Sequence, residues 1–278
     1  MEIVSVNSSA SLEAINRSEV DIQIATAHRF PRNIEDCKQQ IVTLACMDDD
    51  VAYNCFYHLE RTEKNGQKVI IEGPSVRLAE IIATSWRNLR VAARVIGNDG
   101  KTITAQGVCH DLETNVAISI ENKRSILTSK GYTYSEDMQV VVGNAAAAIA
   151  LRNAICKVVP QVLIKSCVQA IQSKALEHIK KTGVQETWNK WLGFMQQTYK
   201  LTEGQILEYL GRKSGAEITS QDLMRLSGLH NAIKEGSTTV EESFKTKKQE
   251  QIEKKRQATA QAAADKAAEA ISKSTGKK

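Results

Sequence analysis

The side chains able to do chemistry in this chain are mostly basic, and they come in short groups. Arg87, Arg90 and Arg94 stand around one segment, Lys123 and Arg124 follow further on, and Lys130, Tyr132 and Tyr134 share the next glycine-containing stretch. Arg152 and Lys157 come later, with Lys165 beyond Pro160. Cations interleaved with aromatic rings can follow a phosphodiester backbone and stack bases. Arg87, Arg90, Arg94, Lys123, Arg124, Lys130, Tyr132, Tyr134, Arg152 and Lys157 are therefore the candidate nucleic-acid contacts. Any one of these groups taken alone reads as an ordinary solvated face.

Bond-making chemistry finds little support. There is no GxxxxGK[ST] loop and no HExxH pair. Gly97-Asn98-Asp99-Gly100 is short enough to be a plain turn. His28, His58, His110, His178 and His230 are scattered, without a Cys or His partner at a metal-ligand spacing. Cys109-His110-Asp111 ends an expected strand, a poor setting for a nucleophilic triad. Asp48-Asp49-Asp50 reads as a solvated helix terminus, since three adjacent carboxylates do not all converge on one cation. No catalytic residue, metal or cofactor is expected.

The 278 residues carry 37 Lys and Arg against 32 Asp and Glu, a net charge of +5. The excess sits at one end: from Lys245 to Lys278 there are 10 basic and 4 acidic residues, so the rest of the chain is close to neutral at -1. A nucleic-acid surface in the body must then be a local patch, and the body rather than the tail is expected to hold it. The six cysteines, Cys37, Cys46, Cys55, Cys109, Cys156 and Cys167, form no CxxC pair and lie in apolar runs. That usage fits a reducing cytoplasm. Met1 to Ala10 lacks the layout of a secretion signal. No stretch is expected to approach the about 20 continuous apolar residues of a membrane span.

The elements that must position these residues are legible in the hydrophobic pattern. Residues before Asn33 show little periodicity and read as a partly ordered arm. Ile34 to Met47 reads as a helix, and Val51 to Arg61 as a strand or a short irregular segment. Lys64-Asn65-Gly66-Gln67 is a hairpin turn signal, with Lys68 to Glu72 returning. Pro74 suits the first position of a helix running to Trp86. Leu89 to Ile96, Thr102 to His110 and Asn115 to Glu121 read as three antiparallel strands joined by short links. Their pleat puts Arg90 and Arg94 on one face and Val91 and Val95 on the other, as in a half-exposed sheet. A loop is expected over Ser125 to Asp137, then helices over Gly143 to Val159 and Val162 to Lys180, separated by Pro160. Beyond Gly183, segments at Trp188 to Tyr199, Thr202 to Gly211, Thr219 to Met224 and Leu229 to Lys234 read as short helices, two of them opened by a threonine cap. The expected class is α+β: an antiparallel β-meander packed against long helices, with a small C-terminal helical module. The divisions are an arm at 1–33, a core at 34–182, the module at 183–244, and a disordered Lys/Ala/Glu-rich tail at 245–278.

In that order of elements the sequence resembles the RecT/Redβ superfamily of phage single-strand DNA annealing proteins, over about Ile34 to Lys165. The matching stretches are Tyr53 to Ile71, Pro74 to Trp86, Leu89 to Glu121, and Leu151 to Pro160 (LRNAICKVVP), a helix with Lys157 shortly before a proline. Lys157 and Pro160 carry over directly. Arg152 and Asn153 fall where the family has adjacent basic residues, and Asn153 departs from that pattern. The resemblance implies binding to single-stranded DNA without base specificity and annealing of complementary strands in phage recombination and repair, with no nucleotide hydrolysis. It also implies assembly of copies into rings or helical filaments, and a C-terminal module that recruits the phage exonuclease or the host single-strand binding protein. Arg212, Lys213 and Arg225 are the candidates for receiving an acidic partner peptide. Two other readings compete: a non-catalytic oligomeric scaffold, and a metal-dependent nuclease using Asp48, Asp49 and Glu72.

Overall fold

The computed structural model describes residues 8–62, 67–128 and 131–244. In chain order the elements are α1 (Ser8–Arg29), α2 (Ile34–Ala45), α3 (Asp49–Tyr53), β1 (Phe56–Thr62), β2 (Lys68–Pro74), α4 (Val76–Trp86), β3 (Leu89–Asn98), β4 (Thr102–Asp111) and β5 (Val116–Ser125). There follow α5 (Glu136–Val158), α6 (Gln161–Thr182), α7 (Val184–Tyr199), α8 (Glu203–Leu210), α9 (Ser220–Lys234) and α10 (Val240–Ser243). The fold is α+β, with a two-stranded hairpin β1-β2 and a three-stranded antiparallel meander β3-β4-β5. The expected hairpin turn at Lys64 to Gln67 lies, apart from Gln67, outside the described residues, as do Lys130 and the tail at 245–278.

The expected arm contains a long helix. Ser8 to Arg29 has no Gly or Pro to break it, and Pro31 stops it by disfavouring helical backbone at Phe30. Between Arg17 and Arg29 only Ala27 is buried, which is why the segment shows so weak a periodic signal. Pro74 is not the first helical residue but the last of β2, opposite Phe56. Ser75 is the N-cap of α4, its hydroxyl accepting the N–H of Leu78 at 3.2 Å.

The meander is organised around β4. Ile103, Ala105, Gly107, Cys109 and Asp111 are buried on one face, alternating with half-buried Thr102, Thr104, Gln106, Val108 and His110 on the other. Helix α5 covers the buried face with Ala146, Ala150 and Ala154, spaced four apart. The approach is close enough that a Cβ on Gly107 would lie 2.3 Å from the Ala150 backbone. Gly143 does not start α5 but lies within it, where a Cβ would come 3.3 Å from Val95. The helix begins seven residues earlier, with Glu136 and Asp137 favourable to its N-terminal dipole. Among the described residues α5 is the one helix long and apolar enough on average to span a membrane, although polar residues from Asn144 to Lys157 break its apolar run. The run of Val and Ala raises its average hydropathy, and that surface is spent partly on the sheet. Edge strand β3 is exposed from Arg90 to Asn98 on both faces rather than half covered.

By internal contacts the described residues fall into two compact units, one within 8–184 together with 220–237, the other 185–219 together with 238–244. This division differs from a module at 183–244. Helix α9 is continuous where two short segments were expected, and it packs on the β1-β2 hairpin. Gly228 permits this: a Cβ there would lie 2.7 Å from that of His58. Asn231 then donates to the carbonyls of Tyr53 and Phe56, both at 2.7 Å. The second unit has its own core of Trp188, Met195, Ile206, Leu207, Leu210 and Ile218. Thr202 and Gln205 form a reciprocal capping box on α8, and Gly211 ends that helix in the left-handed region at φ 70°.

Candidate nucleic-acid interface

Strand register decides which cations share a surface. Arg90, Ala92 and Arg94 pair with His110, Val108 and Gln106, and His110, Val108, Gln106 and Thr104 pair with Ala117, Ser119, Glu121 and Lys123. All of these point away from α5. The open face therefore carries Arg90 and Arg94 on one edge strand and Lys123 on the other, over Ala92, Thr104, Gln106, Val108, Ala117 and Ser119. Glu121 is its acidic member. Arg94 donates to Gln106 at 3.2 Å, and His110 meets Asn115 at 3.0 Å. Arg90 and Arg94 lie about 13 Å apart along the strand.

The segment after β5 is tied to one end of this face. Thr133 donates from its hydroxyl to the Gly100 carbonyl at 3.1 Å, and Tyr134 N–H reaches the Ile126 carbonyl at 2.8 Å. Tyr132 leaves its ring 72% exposed there, while Tyr134 is half-buried. In the adjoining turn Asp99 accepts from the Lys101 and Thr102 backbone and the Thr102 hydroxyl. Those bonds bring its carboxyl down to about 2.

Three of the ten candidates lie on the covered side, two of them turned inward. Arg124 is next to Lys123, so the pleat turns it toward the α5 side, where it donates to the Gly236 carbonyl just past α9. Arg152 is buried. Its guanidinium lies 3.1 Å from Glu235, 3.2 Å from the side-chain Oδ1 of Asn153, and 4.7 Å from the centre of the Tyr57 ring. Glu235 also accepts the Val76 N–H at 2.6 Å, so the pair joins α5, α4 and the end of α9. Burial raises the Glu235 carboxyl, and the Val76 and Arg152 contacts oppose it only in part. Asn153, the departure from the family pattern, serves as an internal acceptor for Arg152. Lys157 is exposed in the last turn of α5, the helix on the covered face. Arg87 is exposed just before β3. Arg212 and Lys213 belong to the second unit, whereas Arg225 belongs to the first and is held by Glu60 and Asp222.

A buried cluster escaped the sequence reading. Arg32, assigned to the arm, donates two bonds to Asp111 at 2.5 and 2.6 Å and one to Glu113 at 2.8 Å, over the Trp86 ring. Asn88 adds a bond to Glu113 at 2.6 Å. The signal was present: Asp111 occupies an inward position of β4, and a buried carboxylate requires a partner. The alternation also separates Cys109 and Asp111 from His110, so that trio does not converge. Burial pushes the thiols of Cys55 and Cys109 up to about 12 and that of Cys156 to about 11, leaving them protonated at neutral pH. Glu72 is engaged by His58 at 2.6 Å. Among the described residues no three of His, Cys, Asp or Glu are arranged to hold a metal ion. No family model matches the chain, and neither a curated protein nor a solved structure does so.

Proposed function

We propose that the protein binds single-stranded DNA on the open face of the meander and anneals complementary strands without nucleotide hydrolysis. The observation that carries this reading is Arg90 and Arg94 on one edge strand and Lys123 on the other, flanking one solvent-facing side of the sheet in a body of almost zero net charge. Each cation replaces a condensed counterion on a phosphate, whose release drives binding without reading sequence. Tyr132 at the end of the sheet is placed to stack a base, a contact worth about 1–3 kcal/mol. Annealing then needs a strand held extended with its charge screened. The resemblance to phage annealing proteins supports the same reading. On that reading copies of the chain assemble side by side, and the second unit, with Arg212 and Lys213, recruits a protein partner such as a single-strand binding protein or exonuclease.

The test is affinity for a labelled oligodeoxythymidine over a salt series, with strand annealing followed by fluorescence transfer. Replacing Arg90, Arg94 and Lys123 together with Ala should reduce the log–log salt slope by about 2, at about 0.7 per phosphate. A folded triple variant with the wild-type slope and annealing rate places the site elsewhere.

A further inference from the structure

Among the described residues β3 and β5 each pair with β4 alone, so both outer edges of the meander present backbone N–H and C=O groups with no strand beside them. Such an edge is a template for another strand, and folds blunt it by shortness, proline or charge. Both strands here are ten residues long and neither contains proline. Val91 and Val95 on β3 and Val116 on β5 are exposed although large and apolar. The charges differ between the edges: β3 has Arg90 and Arg94 and no acidic residue, whereas the open face of β5 carries Glu121. Glu121 is exposed and has no hydrogen bond or ion pair among the described residues.

The two edges match each other row by row. On the covered side the rows across the sheet are Leu89–Asp111–Val116, Val91–Cys109–Ile118 and Ala93–Gly107–Ile120. On the open side they include Arg90–His110–Ala117 and Arg94–Gln106–Glu121. Strands β3 and β5 run in the same direction, because each is antiparallel to β4. A second copy stepped sideways by the width of the sheet therefore lays its β5 parallel to β3 over the whole length of both. Its Val116, Ile118 and Ile120 then meet Leu89, Val91 and Ala93, an apolar match throughout. Its Glu121 comes beside Arg94 at one strand spacing, about 4.8 Å. Arg94 has five N–H donors, so it can hold that carboxylate and still face a phosphate. A β3–β3 contact has no acidic residue to set against its arginines.

We propose that β3 of one copy receives β5 of the next, head to tail, with Arg94 and Glu121 fixing the register. The contact does not close at two copies but propagates, and it joins the open faces into one surface. This gives surfaces to the side-by-side assembly of the proposed function and rests on that part of it, not on DNA binding. The test is sedimentation of the full chain without DNA over a concentration series, for wild type, R94E, E121R and an equimolar mixture of the two variants, with melting temperatures to confirm folding. Wild type should grow beyond a dimer. Each reversal sets like charges side by side and should move assembly to about tenfold higher concentration. The mixture should recover wild-type assembly, since each β3 then finds the opposite charge on the other variant's β5. If a reversal does not fold, R94Q and E121Q take its place, with a shift of about threefold in the same direction. Wild type that stops at a dimer overturns the proposal, as does a mixture no better than its parts. Folded variants that assemble like wild type overturn it too and leave assembly standing through another surface. A monomeric wild type overturns this proposal and the assembly together, while affinity for oligodeoxythymidine decides the DNA reading separately.

Discussion

The two faces of one three-stranded sheet both carry cations, and the cations do opposite work. On the open face Arg90, Arg94 and Lys123 are exposed, and Arg94 donates to the neutral amide of Gln106. On the covered side Arg124 of β5 and Arg152 of the covering helix α5 are spent inside the molecule, on the Gly236 carbonyl and on Glu235. Charge type is the same on both sides. Pleat parity and the helix lying on one side decide whether a guanidinium is left facing solvent or clamps elements together.

The comparison breaks most visibly at Arg152. Arg152→Ala leaves Glu235 buried without its cation and should cost about 3–5 kcal/mol of stability in urea unfolding. The salt slope of the protein that remains folded should not change. A loss of slope at intact stability would move Arg152 into the interface.

The next largest effect concerns close approach. Gly107→Ala drives a methyl group into the Ala150 backbone and should lower stability by about 3 kcal/mol. Gly97, in β3 of the same sheet, has nothing within 4 Å of an added Cβ. Gly97→Ala should change the melting midpoint by under about 0.5 kcal/mol equivalent. Equal effects at the two positions would mean that α5 does not press on β4 as described.

Two neighbours give the sharpest contrast. Lys123→Ala should lower the DNA salt slope by about 0.7 at unchanged stability. Arg124→Ala should cost about 1.5 kcal/mol of stability with the slope kept. Exchanged results would show that the register of β5 is shifted by one residue, since a single-residue slip swaps the faces.

The smallest effect is one of pH. Burial raises the Asp111 and Glu113 carboxyls, but the bonds from Arg32 and, for Glu113, from Asn88 outweigh it, and both end below their ordinary values. An unfolded chain therefore takes up these protons first as pH falls. Their contribution is complete above about pH 5, begins to fall in the ordinary carboxylate range, and is lost progressively as pH drops through the lower folded-state values. Urea midpoints followed from pH 7 to pH 3 should show that loss, and Asp111→Asn should flatten it.

Much of this molecule was open to reading from its residues alone. The alternation of Leu89 to Ile96 and Thr102 to His110 has period two because successive side chains in a strand leave on opposite faces. That local rule placed Arg90 and Arg94 together. Pro160 separates two helices for the equally local reason that it lacks an N–H. Thr202 with Gln205 marks a helix start by side-chain reach. Other features were hidden because their causes are distant in sequence. Gly228 looks like a break until His58 is found against it, 170 residues earlier in the chain. Arg32 looks like part of an arm until Asp111 and Glu113 close around it. Arg124 and Arg152 look like members of the basic set until α9 brings Gly236 and Glu235 to them. The sequence by itself determined the three strands of the meander, most of the helices and the alternation within each strand, since these follow from dihedral preferences and spacing over a few residues. Only the tertiary structure decided which face of the meander is covered and which arginines are neutralised, because burial and pairing depend on what another part of the chain brings alongside.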